Sequence, residues 1–264
     1  MNPVFGLGIA NEKNFSLLPQ VLPESIGFLE IPGDLLELPS AVQKLKKLSR
    51  RQHTAIVVRH LIPGYLAEAV PESPLRLKNE FDNKFRARCK AASELGCRVV
   101  SIDFDIPRAL ADAAYNVQLV QLLLSLAGTL EELKLIMAFP LRLPCSIPGT
   151  AAASFLAFKH RLFYPGFRYR IDFRYEEQGA FGMLENDLKT LFFDRNFWSI
   201  SYQPEAETVL SAEILERLRP AWKPNGRTPV FVCIEPGMCL PDEEMIRKVD
   251  VLIRDFKQAE AEKQ

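Results

Sequence analysis

Several signals that would sort this chain quickly are missing. There is no excess of one charge: 33 Lys and Arg balance 33 Asp and Glu over 264 residues. A neutral chain has no general electrostatic pull toward nucleic acid or an anionic membrane, so neither is expected as a partner. No CxxC pair occurs. The five cysteines, Cys89, Cys97, Cys145, Cys233 and Cys239, are scattered and odd in number. That speaks against a zinc ribbon or a disulfide scaffold and fits a reducing, cytoplasmic compartment. No run reaches the roughly 18 apolar residues of a membrane span. The opening MNPVFGLGIANEKN has neither the basic start nor the apolar stretch of a secretory signal. Histidine is scarce, at His53, His60 and His160.

What is present is globular composition, 48% hydrophobic and 25% charged, with strand-like and helix-like runs in alternation. Eight runs rich in Val, Ile, Phe or Tyr read as strands: Val4–Ile9, Ser25–Ile31, Thr54–Ile62, Cys97–Ile106, Leu133–Phe139, Phe167–Arg174, Phe197–Gln203 and Pro229–Glu235. Amphipathic runs lie between them. Phe81–Leu95 is closed by Gly96, as a helix C-cap should be. Val117–Leu133, Ser211–Leu218 and Asp242–Lys257 have helical spacing, and the tail 258–264 is expected to fray. Alternation of this kind implies parallel strands with right-handed crossovers. Eight units in this length predict an α/β fold, one (β/α)8 barrel over residues 1–264. The rival, an open dinucleotide-binding sheet, wants a third glycine that GLGIANEKN does not supply.

Strand residues of a barrel alternate between the helix layer and the interior. Strand 8 puts Phe231, Cys233 and Glu235 inside. Strand 6 puts Arg168, Arg170, Asp172 and Arg174 inside. Strand 4 gives Ser101, Asp103 and Asp105, and strand 7 gives Ser199, Ser201 and Gln203, with Trp198, Ile200 and Tyr202 facing the helices. Strand 3 sends Arg59 one way and His60 the other, and strand 2 ends with Glu30. Barrel active sites sit at the C-terminal strand ends. The polar set there includes Glu30, Arg59, His60, Asp103, Arg142, Asp172, Arg174, Gln203 and Glu235. Two readings of it stand open: a substrate site, or an interior in which Arg59, Arg170 and Arg174 pair with Glu30, Asp103, Asp172 and Glu235.

The order of units resembles the xylose isomerase-like TIM barrels, which include sugar isomerases and epimerases. GFLEIPGDLLE is similar to the family's Gly-x-x-Glu segment, and FRARCKAASELGCRVVSIDFD to its helix-3 and strand-4 signature. Asp172, and Glu235 in CIEPG, match positions of metal-binding carboxylates. Other family ligands differ: strand 5 reads MAFPLRLP in place of a terminal Glu, strand 7 ends in Gln203 where a His is usual, and Asp103 replaces the strand-4 His.

The expected activity is therefore a divergent isomerase or epimerase that transfers a proton next to a carbonyl on a small sugar-derived or anionic substrate. Glu235, Asp172 and His60 are the catalytic candidates. Glu30, Arg59, Arg142, Arg174 and Gln203 would bind the substrate, since guanidinium groups suit carboxylate and phosphate. Asp103, Asp172 and Glu235 offer oxygen ligands suited to Mg²⁺ or Mn²⁺. His60 has a second reading as a structural residue turned toward the helices. The alternative function is a metal-free barrel that binds a small anion or a protein partner without turnover. Apolar residues on the outer helices leave a homo-oligomer open.

Overall fold

The computed structural model describes residues 4–143, 151–174, 191, 194, 197–203, 231–234 and 242–262. The expected strands close into one parallel barrel in the order β1-β2-β3-β4-β5-β6-β7-β8. They are β1 (Val4–Gly8), β2 (Ile26–Pro32), β3 (Ala55–Arg59), β4 (Val99–Val100), β5 (Ile136–Leu143), β6 (Phe167–Arg174), β7 (Phe197–Gln203) and β8 (Phe231–Ile234). Pairing of β1 with both β2 and β8 completes the ring.

β4 is far shorter than the run Cys97–Ile106 that sequence suggests. Beyond it the ladder continues through single contacts, with Ser101 N donating to Val58 O at 2.7 Å and Leu61 N donating to Ser101 O at 2.8 Å. Asp105, expected inside, is instead the N-cap of α5 (Ile106–Ala111), where its Oδ1 accepts from Arg108 N at 2.9 Å.

The long helices follow their sequence signals. In α4 (Leu75–Glu94), Phe81, Phe85, Cys89 and Ala92 make one buried stripe at helical spacing. The chain leaves it through Gly96 at φ +82°, with Gly96 N donating to Ser93 O and Cys97 N to Ala92 O. That paired closure needs a left-handed residue, which glycine adopts freely. In α6 (Ala113–Glu132), Asp112 Oδ1 accepts from Ala114 N and Tyr115 N. By length and composition this helix is apolar enough to cross a membrane, which the expectation of no such run did not anticipate. Here its Leu119, Leu123, Leu126 and Leu130 are buried in the hydrophobic core of the barrel. The closing helix (Glu243–Glu262) runs beyond the expected Lys257, so part of the tail expected to fray is helical. The helix expected over Ser211–Leu218 lies outside the described residues.

Two apolar regions hold the barrel. The larger lies between sheet and helices, and takes the outward phase of the strands, including Leu29, Val58, Ile102, Ile171, Ile200 and Val232. Each such side chain, fully buried, contributes about 1.5–3 kcal/mol. The smaller one fills the N-terminal half of the interior: Phe28, Val57, Val99, Ala138 and Cys233, with Trp198 and Phe231 packed against them.

This plug depends on two register shifts. Between β1 and β2 the partner of Phe5 is Ile26 and that of Gly6 is Phe28, so Gly27 is the extra residue. A Cβ on Gly6 would stand 2.4 Å from the Phe28 ring, so only glycine leaves room for the ring inside the barrel. Between β6 and β7 the partner of Tyr169 is Phe197 and that of Arg170 is Ser199, which leaves Trp198 as a bulge. Trp198 is thus not on the helix side as strict alternation predicts. It stacks on Phe231 inside the barrel at 4.8 Å, with the Arg168 guanidinium 5.4 Å from its ring centre. Phe197 takes the helix-facing place.

Candidate active site

Above the plug the interior turns polar. Glu30, Arg59, Arg170, Ser101, Ser199 and Ser201 are all buried there. The order of strands makes β2 and β6 opposite sides of the ring. Arg170 on β6 reaches across the interior and its Nη1 donates to Glu30 Oε1. The same guanidinium holds Asp172 two residues on, with Nε to Oδ1 at 2.9 Å and Nη2 to Oδ2 at 3.2 Å. Arg59 Nη1 stands 4.0 Å from the same oxygen of Glu30. Glu30 is 2% exposed and Arg170 3%. Charges this deep persist only when paired, because an isolated ion would cost several kcal/mol in lost hydration. Four charges, two of each sign, meet this requirement by facing one another.

A second polar pair sits nearer the C-terminal rim. His60 Nδ1 lies 2.6 Å from Asp103 Oδ2, with the imidazole 38% exposed and the carboxylate 18%. Strict alternation along β3 would turn His60 to the helices. Its backbone instead takes φ 46°, in the left-handed region, where histidine is uncommon but tolerated. That turn brings the ring to Asp103 on the segment after β4. With Nδ1 engaged by the carboxylate, Nε2 is the nitrogen left to face a ligand. Near the foot of this pair Ser101 is 1% exposed, and among the described residues its Oγ has no hydrogen-bond partner.

The remaining sequence candidates are placed in part. Arg142, Arg174 and Gln203 fall in β5, β6 and β7, where Arg142 is in register with Asp172 and Arg174 with Gln203. Their side chains, and Glu235 altogether, lie outside the described residues. Arg170, in the inward phase of strand 6, joins the site in addition to the residues expected from sequence. Its signal is its spacing from Asp172; the sequence leaves open which carboxylate across the barrel it reaches. Cys233 is buried in the plug, consistent with a packing role.

Among the described residues no three His, Cys, Asp or Glu side chains gather as an ion would need. Glu30 and Asp172 both accept from one guanidinium, and Asp103 is held by His60. A cation already fills the space between the carboxylates, so the described residues do not fit a metal.

A closed parallel barrel with a buried polar cluster inside it defines the class: a (β/α)8 barrel with the fold of the xylose isomerase-like proteins. No family model and no curated protein matches the chain. Solved structures do match over nearly the whole length. D-psicose 3-epimerase from Clostridium cellulolyticum H10, solved with D-tagatose, superposes with TM-score 0.68 at 12% identity, over 96% of this chain and 98% of that one. A xylose isomerase domain protein from Planctomyces limnophilus gives TM-score 0.64 at 11% identity, over 99% and 100%. The IOLI protein with a bound zinc atom gives 0.61 at 14%, over 98% and 96%. At such identities the likeness establishes the fold.

Proposed function

We propose that this protein is an isomerase or epimerase-type enzyme that moves a proton next to the carbonyl of a small, anionic, sugar-derived substrate. The observation that carries the reading is the His60–Asp103 pair at the barrel rim. A histidine held through Nδ1 by a carboxylate keeps one tautomer and one orientation, and its Nε2 can take a proton and return it. The likeness to sugar epimerases over nearly the full chain supports the substrate class.

In this reading His60 Nε2 removes the proton from the carbon beside the carbonyl. The developing charge falls on the carbonyl oxygen, and the Arg59 guanidinium and the Ser101 hydroxyl stabilise it. Asp103 balances the imidazolium while the proton is held. Return of the proton to the former carbonyl carbon, on the same face, while the neighbouring hydroxyl passes its proton to the former carbonyl oxygen, gives an aldose–ketose isomerisation. Epimerisation needs a second group on the other face, and Glu235, which follows β8 in sequence, is assigned to it. Arg142, Arg174 and Gln203, at or near the strand ends, are assigned to the anionic group and hydroxyls of the substrate. No step uses a metal.

A second reading is favoured by the internal pairing of Glu30 and Asp172 with Arg170: a barrel that binds a small anion without turnover. Screening aldose–ketose interconversion of neutral sugars, sugar phosphates and sugar acids, with wild type and His60→Gln, separates the two. Turnover of an anionic sugar that His60→Gln loses supports the enzyme. Thermal stabilisation by an anion with no turnover supports the binding barrel.

A further inference from the structure

We infer that the Arg170 guanidinium is a built-in cation that occupies the place a divalent ion could take between Glu30 and Asp172 near the barrel axis, so that this pair of carboxylates holds no resident metal and gains an ion only when Arg170 is removed. Three observations converge on this.

The first is position. Glu30 and Arg170 come from opposite strands of the closed ring and meet inside it. The interior of an eight-stranded barrel is only wide enough for packed side chains. A guanidinium that spans it from β6 to β2 therefore lies on or near the axis.

The second is ligand chemistry. Through its nitrogens Arg170 contacts carboxylate oxygens of both Glu30 and Asp172. Two carboxylates plus waters are the usual protein contribution to a Mg²⁺ site. The donor set is thus one that an ion could use, with an organic cation in possession of it.

The third is charge. Glu30 has a second guanidinium, Arg59, 4.0 Å from its Oε1. An incoming divalent ion would meet two buried positive charges, and both carboxylates would have to exchange partners before it could bind.

Ion binding and turnover are separate readouts, so failure of one leaves the other standing. The test is a Mn²⁺ titration followed by electron paramagnetic resonance of the free ion, with thermal melts in EDTA and in Mn²⁺. It is run on wild type, Arg170→Ala and Arg170→Lys. Wild type and Arg170→Lys, which keeps the positive charge, should bind no Mn²⁺ with Kd below about 1 mM. Their melting should be the same in EDTA and Mn²⁺. Arg170→Ala leaves Glu30 and Asp172 facing each other without the guanidinium. It should take up one Mn²⁺ per chain and melt several degrees higher with the ion than in EDTA. That gain should disappear in the Arg170→Ala, Glu30→Gln double variant. One tightly bound Mn²⁺ in wild type would overturn the inference. So would an Arg170→Ala chain that is folded and gains no ion. If Arg170→Ala does not fold with or without Mn²⁺, wild type and Arg170→Lys decide: an ion bound by either one overturns the inference, and none bound by both upholds it.

Discussion

Glu30 on β2 and Arg170 on β6 meet inside the barrel from opposite sides of the closed sheet. This contact divides the interior. Below it lies an apolar plug around Phe28, Val57 and Val99. Above it lies the rim with His60 and Asp103. The ion pair is therefore both the boundary between plug and rim and a tie across the barrel.

Removing one partner should be costly. Glu30→Gln leaves Arg170 and Arg59 with less compensating charge while both stay buried. The expected loss is about 3–5 kcal/mol, read from urea denaturation. Replacing both members by Met should cost less than the two single changes together, because one charge of each sign is removed and Arg59 and Asp172, again one of each sign, remain. Additive losses in the double variant would contradict this account of the pair.

The plug makes its own prediction. Gly6→Ala places a methyl group against the Phe28 ring, which is then forced to shift. The expected destabilisation is about 1–3 kcal/mol by thermal or urea melts. Phe28→Leu in the same chain should recover part of it, since the smaller side chain frees that space. An unchanged midpoint in Gly6→Ala would show that the ring is not tightly held.

Much of this arrangement follows from period-2 alternation. It puts Arg170 and Asp172 inside on β6, Asp103 inside after β4, and Ile171 and Val232 against the helices, as found. It fails at Trp198 and at His60, for reasons alternation cannot contain. A bulge adds one residue and resets the phase, which turns Trp198 inward. A single left-handed backbone step does the same for His60. Both depend on what the neighbouring strand offers: Phe231 for the indole and Asp103 for the imidazole. Which of Arg59, Arg170 and Arg174 pairs with Glu30 stays open in the sequence for a different cause. Glu30 and Arg170 are far apart in sequence, and only closure of the ring sets β2 opposite β6.

The rim pair should matter for rate more than for stability, since both groups are partly exposed. His60→Gln should lower kcat on the identified substrate by about 10²- to 10⁴-fold. Asp103→Asn should lower it less, in the same direction, with circular dichroism and melting near wild type. A large loss of folded protein in either variant would point to a structural role for the pair.

Alkali should destabilise the fold through buried acids. Burial pushes the Cys89 and Cys97 thiols from 9.0 up to about 12, and raises the Tyr169 phenol from its ordinary 10.0 as well. As pH rises past about 9, these groups ionise in the unfolded chain but stay protonated in the folded one. The unfolded chain then binds fewer protons, and stability falls from about pH 9 toward pH 12. Urea midpoints at pH 7, 9 and 10.5 check the trend. The same burial predicts that Cys89 and Cys97 resist iodoacetamide at neutral pH until urea unfolds the chain.

Proton transfer by His60 at the carbon beside a substrate carbonyl is read directly by solvent exchange. The protein is incubated in D₂O with a panel of sugar phosphates and sugar acids, and proton NMR follows the signal of that carbon-bound hydrogen. The account predicts that wild type replaces it with deuterium for at least one anionic sugar, and that His60→Gln does so at least about 10²-fold more slowly. No exchange across the panel, or equal exchange by the two proteins, would contradict it.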